Sequence, residues 1–528
     1  MSAVVTDQFR IANANSFVES VLNNSNSYYV FLGLPNPTAA GFGRTTASLD
    51  WPLAPVDNLN YQTHYRDSML FGKKISGANI RRVVKKHEWV KNTRYDMYRH
   101  DYSVNNLAPN SKTSNLYRSN YYVMNSDFEV YVCIDNGSSG VSEETSSKGN
   151  RSLIEPDFTD VEPVTLSDGY TWKYLFTIAA SDVIKFDSTE YIVLPNNWDT
   201  TTDSQIKTIR ESGNSDISKN QIKKVYIKNR GLTGGYISTI ASGPVTLEIL
   251  GDGTGGKVSV SVSSTGKIDS VKVISGGYGY TYGIIDLGPL QASTENSTAL
   301  GELIPIIPPS KGHGYDIYKE LGADKVLVYA RFDDSTKDFP SDTSFSQVGI
   351  IKNPEKSTTT DIYEANEFSA LDSFKVSSSL SQNTENYAGV KITQNVEGGK
   401  ARGYIASYDS DTKIVKYFQD RSLFFPNSND HRDLINVSEQ SKVLKFGGTG
   451  DIEISATNDI HTRNIDTSLS GITTTVNQKI INLGVEYESG VAGPEINKKT
   501  GDIIYITNRS TVQRDLRQKE DIKIVLEF

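Results

Sequence analysis

The sequence predicts a mainly β protein, and three observations carry that reading. Apolar residues at helical spacing are scarce. Most of the chain consists instead of runs of four to eight residues rich in Val, Ile, Tyr and Thr, separated by clusters of Gly, Asn, Asp and Ser. Several of these runs alternate polar and apolar residues, the period of a strand with one face buried.

Taken along the chain, helices are expected over Asn13–Leu22 and Tyr315–Leu321. Strands are expected at Lys223–Ile227, Asp269–Ile274, Lys413–Phe418 and Asp521–Phe528. The segment YIASYDSDTKIVKYF reads as a hairpin turning at Asp409-Ser410-Asp411, where Asp side chains cap their own backbone. The 29 tyrosines suit pleated surfaces and interfaces alike. Two stretches differ in composition from their surroundings. Residues 205–310 are rich in Gly, Ser and Lys and contain an internal echo. Val225, Ile227, Gly231 and Tyr236 match Val271, Val273, Gly277 and Tyr282, each 46 residues on. Two copies are too few for a solenoid, so a small β-module of two related halves is expected. Residues 361–490 are rich in Ser, Thr, Asn and Asp.

The 528 residues predict three or four domains at about 150 residues each. With 37% hydrophobic and 22% charged residues the chain is globular rather than disordered. The net charge of −9 argues against nonspecific nucleic-acid binding, which needs clustered Lys and Arg. The mean hydropathy is −0.41, and no apolar run approaches the ~20 residues of a membrane helix. The N-terminus lacks a basic start followed by an apolar block, so no signal peptide is expected. Cys133 is the single cysteine, which excludes intramolecular disulfides and cysteine zinc clusters.

The chemical motifs favour bland readings. Gly251-Asp252-Gly253-Thr254-Gly255-Gly256-Lys257 fits GxGxxG and nearly a Walker A loop. Val258 stands where magnesium binding needs Ser or Thr, and KVSVSVS reads as a strand where a phosphate-binding helix should begin. A glycine turn between strands is expected. His64, His87, His100, His313, His431 and His461 show no helical zinc spacing, and HEWVK at His87 lacks the second histidine of HExxH. Asp409-Ser410-Asp411 lacks the later glycine and glutamate of a calcium loop. There is no GxSxG elbow, and Cys133 in YVCID reads as a buried, inert thiol. The 63 acidic residues give no reason to prefer any one carboxylate pair. No catalytic site, cofactor site or metal site is expected.

Several segments together carry a resemblance. They are IRRVVKKHEWVKNTRYDMYRHD, YYVMNSDFEVYVCIDN, DGYTWKYLFTI followed by EYIVLP, FSQVGIIKNP, and the C-terminal GDIIYITNRSTVQRDLRQKEDIKIVLEF. In this order they resemble the gene product eight family, the baseplate wedge subunits of T-even-like contractile-tailed bacteriophages. The resemblance covers roughly residues 60–200, 311–355 and 495–528. It implies a layered β-sandwich body with inserted small β-modules and few short helices. It also implies a non-enzymatic structural role in the virion tail baseplate, after synthesis in the host bacterial cytoplasm. The implied partners are a second copy in a homodimer, other wedge subunits and tail-fibre attachment proteins, with no nucleic acid and no membrane insertion. The family-like motifs place Trp89, Tyr95, Tyr98, Tyr131, Tyr170, Trp172, Tyr174, Phe176, Phe345, Tyr505 and Phe528 in the structural core.

The expected organisation follows. Residues 1–204, 311–360 and 491–528 form the main β body, and 205–310 and 361–490 are insertions. Two other readings stay open. A receptor-binding fibre or adhesin predicts long tandem repeats, and a polysaccharide-degrading virion enzyme predicts two carboxylates about 5–10 Å apart in a cleft.

Overall fold

The structure, a computed structural model, describes residues 4–34, 55, 57, 59–138, 148–212, 220–292, 300–309, 311–333, 344–380, 387, 389–419, 445–456, 459–513 and 518–528. Among the described residues strands make up 44% and helices 11%, so the protein is mainly β. The five helices among the described residues are Asp7–Leu22, Leu59–Asp67, Ala180–Phe186, Ser204–Glu211 and Ile317–Leu321. The first and last lie where helices were expected; the other three are additions.

The chain divides into two compact units. The first comprises Met1–Val18, Arg81–Leu327 and Val525–Phe528, and the second Glu19–Ile80 and Val328–Ile524. The segments expected to form one main body are thus shared between two units.

In the first unit an antiparallel sheet runs in the order Tyr122–Met124, Glu129–Asp135, Thr171–Thr177, Val164–Thr165. Its central pair sets Tyr131 opposite Tyr174 and Cys133 opposite Trp172. Directly opposite side chains meet across a sheet, and here they build an aromatic core with Tyr121, Tyr170 and Trp198. A second core lies under the glycine-rich segment. Its four-stranded sheet has the order Ile268–Tyr278, Thr254–Val262, Val245–Gly251, Gly283–Ile285. Val258, Val260 and Val262 are buried while Ser259 and Ser261 are not, as period-two alternation requires. A turn between strands is present as expected, at Asp252-Gly253; Gly251 ends the strand Val245–Gly251, Thr254–Lys257 open the strand Thr254–Val262, and no helix follows.

The echo does not produce two equivalent halves. The strand Val225–Arg230 pairs with Gly301–Pro305, whereas Ile268–Tyr278 pairs with Thr254–Val262. Tyr236 is buried, with its hydroxyl accepting a bond from the Gly301 amide at 2.9 Å, but Tyr282 is 59% exposed. What repeats is a strand with a glycine at positive φ at its end, 81° at Gly231 just after Val225–Arg230 and 60° at Gly277 within the last residues of Ile268–Tyr278. The expected border at 205 falls inside the helix Ser204–Glu211. Ile209 of that helix, with Tyr226 and Ile306, belongs to the aromatic core.

The second unit contains a five-stranded antiparallel sheet in the order Glu367–Ser369, Met69–Ile75, Tyr28–Gly33, Ser344–Lys352, Asp502–Gln513. Tyr28–Gly33 (YYVFLG) is buried at every position, as a near-continuous apolar run should be. A seven-stranded sheet takes most of the Ser/Thr-rich stretch, with its own core around Phe374, Ile405, Val415 and Ile454. The expected hairpin is present as Gly399–Asp409 paired with Ile414–Gln419. Asp409 caps its turn, accepting bonds from the Asp411 amide at 3.3 Å and the Thr412 hydroxyl at 2.7 Å.

Candidate functional site

The first three family-like segments meet in the aromatic core of the first unit, while FSQVGIIKNP and most of the C-terminal segment lie in the second unit. Trp172 is fully buried and stacks on Tyr170, with centroids 5.4 Å apart and planes inclined by 11°. Tyr95 meets the Trp172 ring edge-on at 5.7 Å, and Tyr131 meets Tyr174 at 5.7 Å. Offset and edge-on geometries are those aromatic quadrupoles favour. The hydroxyls reach backbone: Tyr170 donates to the Asn150 carbonyl at 2.9 Å and accepts from the Tyr95 amide at 3.0 Å. The indole N–H of Trp172 has no hydrogen-bond partner among the described residues.

Of the eleven expected core residues, Tyr95, Tyr98, Tyr131, Tyr170, Trp172, Tyr174, Phe176 and Phe345 are at most 7% exposed. Three are only half-buried. Trp89 lies outside any strand, packs against the rim of the aromatic core and donates its indole N–H to Ser152 Oγ at 2.9 Å. Tyr505 sits opposite Ile350 in the second unit's five-stranded sheet. Phe528 packs its ring 5.6 Å from Phe17. The eight buried residues belong to two cores, because Phe345 lies in the second unit.

A buried polar cluster borders the aromatic core and was not legible in the sequence. Glu320 is 0% exposed and His313 is 3% exposed. One Glu320 oxygen lies 2.6 Å from His313 Nδ1, and the other accepts the Gly314 amide at 2.6 Å. Tyr98 packs edge-on against the His313 ring at 4.8 Å. Lys173, also 0% exposed, donates to the Val161 carbonyl at 2.7 Å and to Ser212 Oγ at 3.4 Å. Burial, with Lys223 nearby, pulls the Lys173 ammonium down to about 8. Trp198 donates to the Gly314 and Tyr315 carbonyls at 3.0 and 3.2 Å.

A His–carboxylate pair is the orienting half of a nucleophilic triad. Here neither member lines the concavity beside Phe186 or the one beside Arg94 and Arg151. What the pair does is tie the Gly312–Tyr315 loop to the helix Ile317–Leu321. The helix is itself capped by Asp316, which accepts the Lys319 amide.

The remaining histidines vary. His87 meets Tyr122 edge-on at 5.1 Å, and its Nε2 has no partner. Burial, assisted by Lys85, lowers its pKa from 6.5 to about 4, so it sits neutral. His100 Nδ1 accepts the Ile307 amide at 3.1 Å. His431 and the His64 side chain lie outside the described residues. Cys133 is fully buried, and desolvation pushes its thiol pKa well up, away from reactivity. Among the described residues no group of three His, Cys, Asp or Glu side chains is placed to hold a metal.

Of the two concavities, one of about 20 Å³ beside Phe186 has room for little more than water. The other, about 460 Å³, is open and polar. It lies where the loops at 92–94, 109–112 and 148–151 converge. Its cations are Arg94, Lys112, Lys148 and Arg151, and among the described residues no acidic side chain lines it. The sequence held part of the signal: seven Lys and Arg fall between Arg81 and Arg99. Arg81 and Arg99 pair with Asp182 and Asp101, while Arg94 has no such partner among the described residues.

Compared with protein-family models and with curated proteins, the chain matches none.

Proposed function

We propose that this chain is a structural subunit of a phage tail baseplate wedge. In that role it forms a homodimer, links wedge subunits and helps hold tail fibres during assembly and host attachment. The observation that carries the proposal is the ordered set of family-like segments between Ile80 and Phe528. The placement of their large side chains supports it. Eight of the eleven marked aromatics are packing residues at most 7% exposed, so what the segments share with the family is scaffold. A mainly β chain with its polar clusters sealed inside suits a part that transmits load between neighbours.

The role is non-enzymatic and needs no cofactor. Among the described residues no helix is long and apolar enough to cross a membrane.

The deciding experiment is a density map of the tail tip of the particle that encodes this chain. The expected result is density for the chain in the wedges around the central hub. Density in a distal fibre, or absence from the particle, would overturn the reading. Light scattering at micromolar concentration should give about twice the 58.3 kDa chain mass. A monomer across the concentration range would remove the dimer as an intrinsic property.

A further inference from the structure

The 460 Å³ concavity of the first unit is anomalous for this chain. The molecule carries −9 overall, yet among the described residues four cations and no carboxylate line this hollow. Several other basic side chains of the unit find acids: Arg81 with Asp182, Arg99 with Asp101, Lys223 with Glu162, Lys224 with Asp135. Arg94, Lys112 and Arg151 have no acidic partner among the described residues.

The two guanidinium groups are positioned without being neutralised. Arg94 Nε donates to the Gly149 carbonyl at 3.2 Å, and Arg151 Nη1 donates to the Asn92 carbonyl at 2.8 Å. A guanidinium has five N–H donors. One is used in each case, so the fork that binds carboxylates bidentately remains available.

The hollow is also held in shape from below. Asp96 is fully buried beneath it and accepts the Asn110 amide at 2.8 Å, the Ser111 amide at 3.0 Å and Ser111 Oγ at 2.5 Å. The Asn110 side-chain amide donates to the carbonyls of Tyr95 and Lys148 at 3.2 and 3.0 Å, which joins two of the loops. The Asn92 amide donates to Ser152 at 2.7 Å and joins the third. Asn92 and Lys112 hold left-handed backbone, φ 68° and 58°, a conformation non-glycine residues keep only when their surroundings fix it.

The lining chemistry narrows the ligand. Among the described residues no aromatic ring lines the hollow, and the one apolar lining residue is Pro109. It therefore offers no stacking platform for a base or a sugar and no apolar bed for a lipid. It offers charge and amide hydrogen bonds. A water takes about 30 Å³, so the volume exceeds what a single small anion fills and suits several carboxylates in a row. We propose that this groove docks an acidic peptide segment, a run of Asp or Glu from a partner protein, held by Arg94, Lys112, Arg151 and the neighbouring Lys148. The site goes beyond the wedge reading and does not depend on it.

The test uses the full chain and a fluorescein-labelled hexaglutamate peptide, followed by anisotropy. Hexaglutamine and inorganic phosphate serve as competitors. The expected result is saturable binding of hexaglutamate at 50 mM salt that weakens about tenfold or more by 300 mM, as screening of exposed charges requires. The triple variant Arg94→Gln, Lys112→Gln, Arg151→Gln should weaken it at least tenfold. A control with the same charge change, Lys207→Gln, Lys267→Gln, Lys272→Gln, should leave it within twofold. Circular dichroism and a thermal melt establish that the triple variant is folded. If it is not, the exposed single change Lys112→Glu takes its place, with a threefold or greater loss expected. Equal binding by variant and wild type would overturn the proposal. So would a control as weak as the triple variant, competition by hexaglutamine, or displacement by millimolar phosphate, which would make the hollow a phosphate site.

Discussion

Replacing Trp172 by Ala tests whether the family-like aromatics are scaffold. Trp172 is fully buried, opposite Cys133 in the sheet, stacked on Tyr170 and touched edge-on by Tyr95. An aromatic of this size hides about 200 Å², which at about 25 cal/mol/Å² corresponds to roughly 5 kcal/mol. Ala retains about a fifth of that, which leaves an expected cost of about 4 kcal/mol, within the 3–5 kcal/mol usual for Trp→Ala in cores. The indole N–H has no partner among the described residues, so none of this is a lost hydrogen bond to them. Trp172→Phe should accordingly cost clearly less than the Ala change, because it keeps one stacked ring. Thermal unfolding reads the difference. At about 2–4 °C per kcal/mol for units of this order of size, Trp172→Ala should lower the midpoint by about 8–16 °C. A variant that melts within about 2 °C of the wild type but no longer dimerises or assembles would refute the scaffold reading and make Trp172 an interface residue.

Three further outcomes are expected. His87 is held neutral, with its pKa lowered from 6.5 to about 4, so the folded state binds fewer protons than the unfolded one. Stability should therefore fall as pH drops from about 6.5 to 4, by about 3 kcal/mol in all, and His87→Phe should flatten that part of a denaturation-midpoint profile; an unchanged profile would count against it. Glu320→Ala strips acceptors from His313 and the Gly314 amide, and breaking such a buried pair should cost about 3–5 kcal/mol in urea melts and expose the Gly312–Tyr315 loop to protease. In the second unit, the hairpin of Gly471–Val476 and Lys479–Tyr487 turns on Asn477 and Gln478, both at positive φ (48° and 64°). Asn-Gly is the preferred pair for that turn, so Gln478→Gly should stabilise the hairpin by about 1 kcal/mol, seen as roughly fivefold slower amide exchange across it; faster exchange would mean that the Gln side chain holds the turn.

Local patterns were legible where physics is local. KVSVSV alternates, so Val258, Val260 and Val262 go inside whatever the rest of the fold does. A glycine run before that strand can only be a turn, and Asp409 caps its own backbone without help from afar. The all-buried strand Tyr28–Gly33 announces itself by composition. The short helices Ala180–Phe186 and Ser204–Glu211 do not. Each spans two turns, too short to show a period, and such helices are stabilised by packing rather than by propensity.

Composition shifts also marked 205 and 361 as borders without revealing how the segments associate. Tyr28–Gly33 pairs with Ser344–Lys352 across more than 300 positions, and no local signal encodes such a pairing. Trp89 looked like core from its neighbours in sequence, but it falls in a loop, so the period-two reading does not apply to it.

By itself, then, the sequence determined the class of fold, the turns and the faces of single strands, because these depend on residues within a few positions of one another. Tertiary structure alone decided which polar groups are sealed and which converge. Glu320 is a surface residue by type, yet it is fully buried because His313 and the Gly314 amide satisfy its oxygens. Lys173 is buried because Val161 and Ser212, far from it in sequence, meet its ammonium. The basic hollow comes from three loops brought together by Asp96 and Asn110. In each case the free energy of a charge depends on partners that only the folded chain supplies.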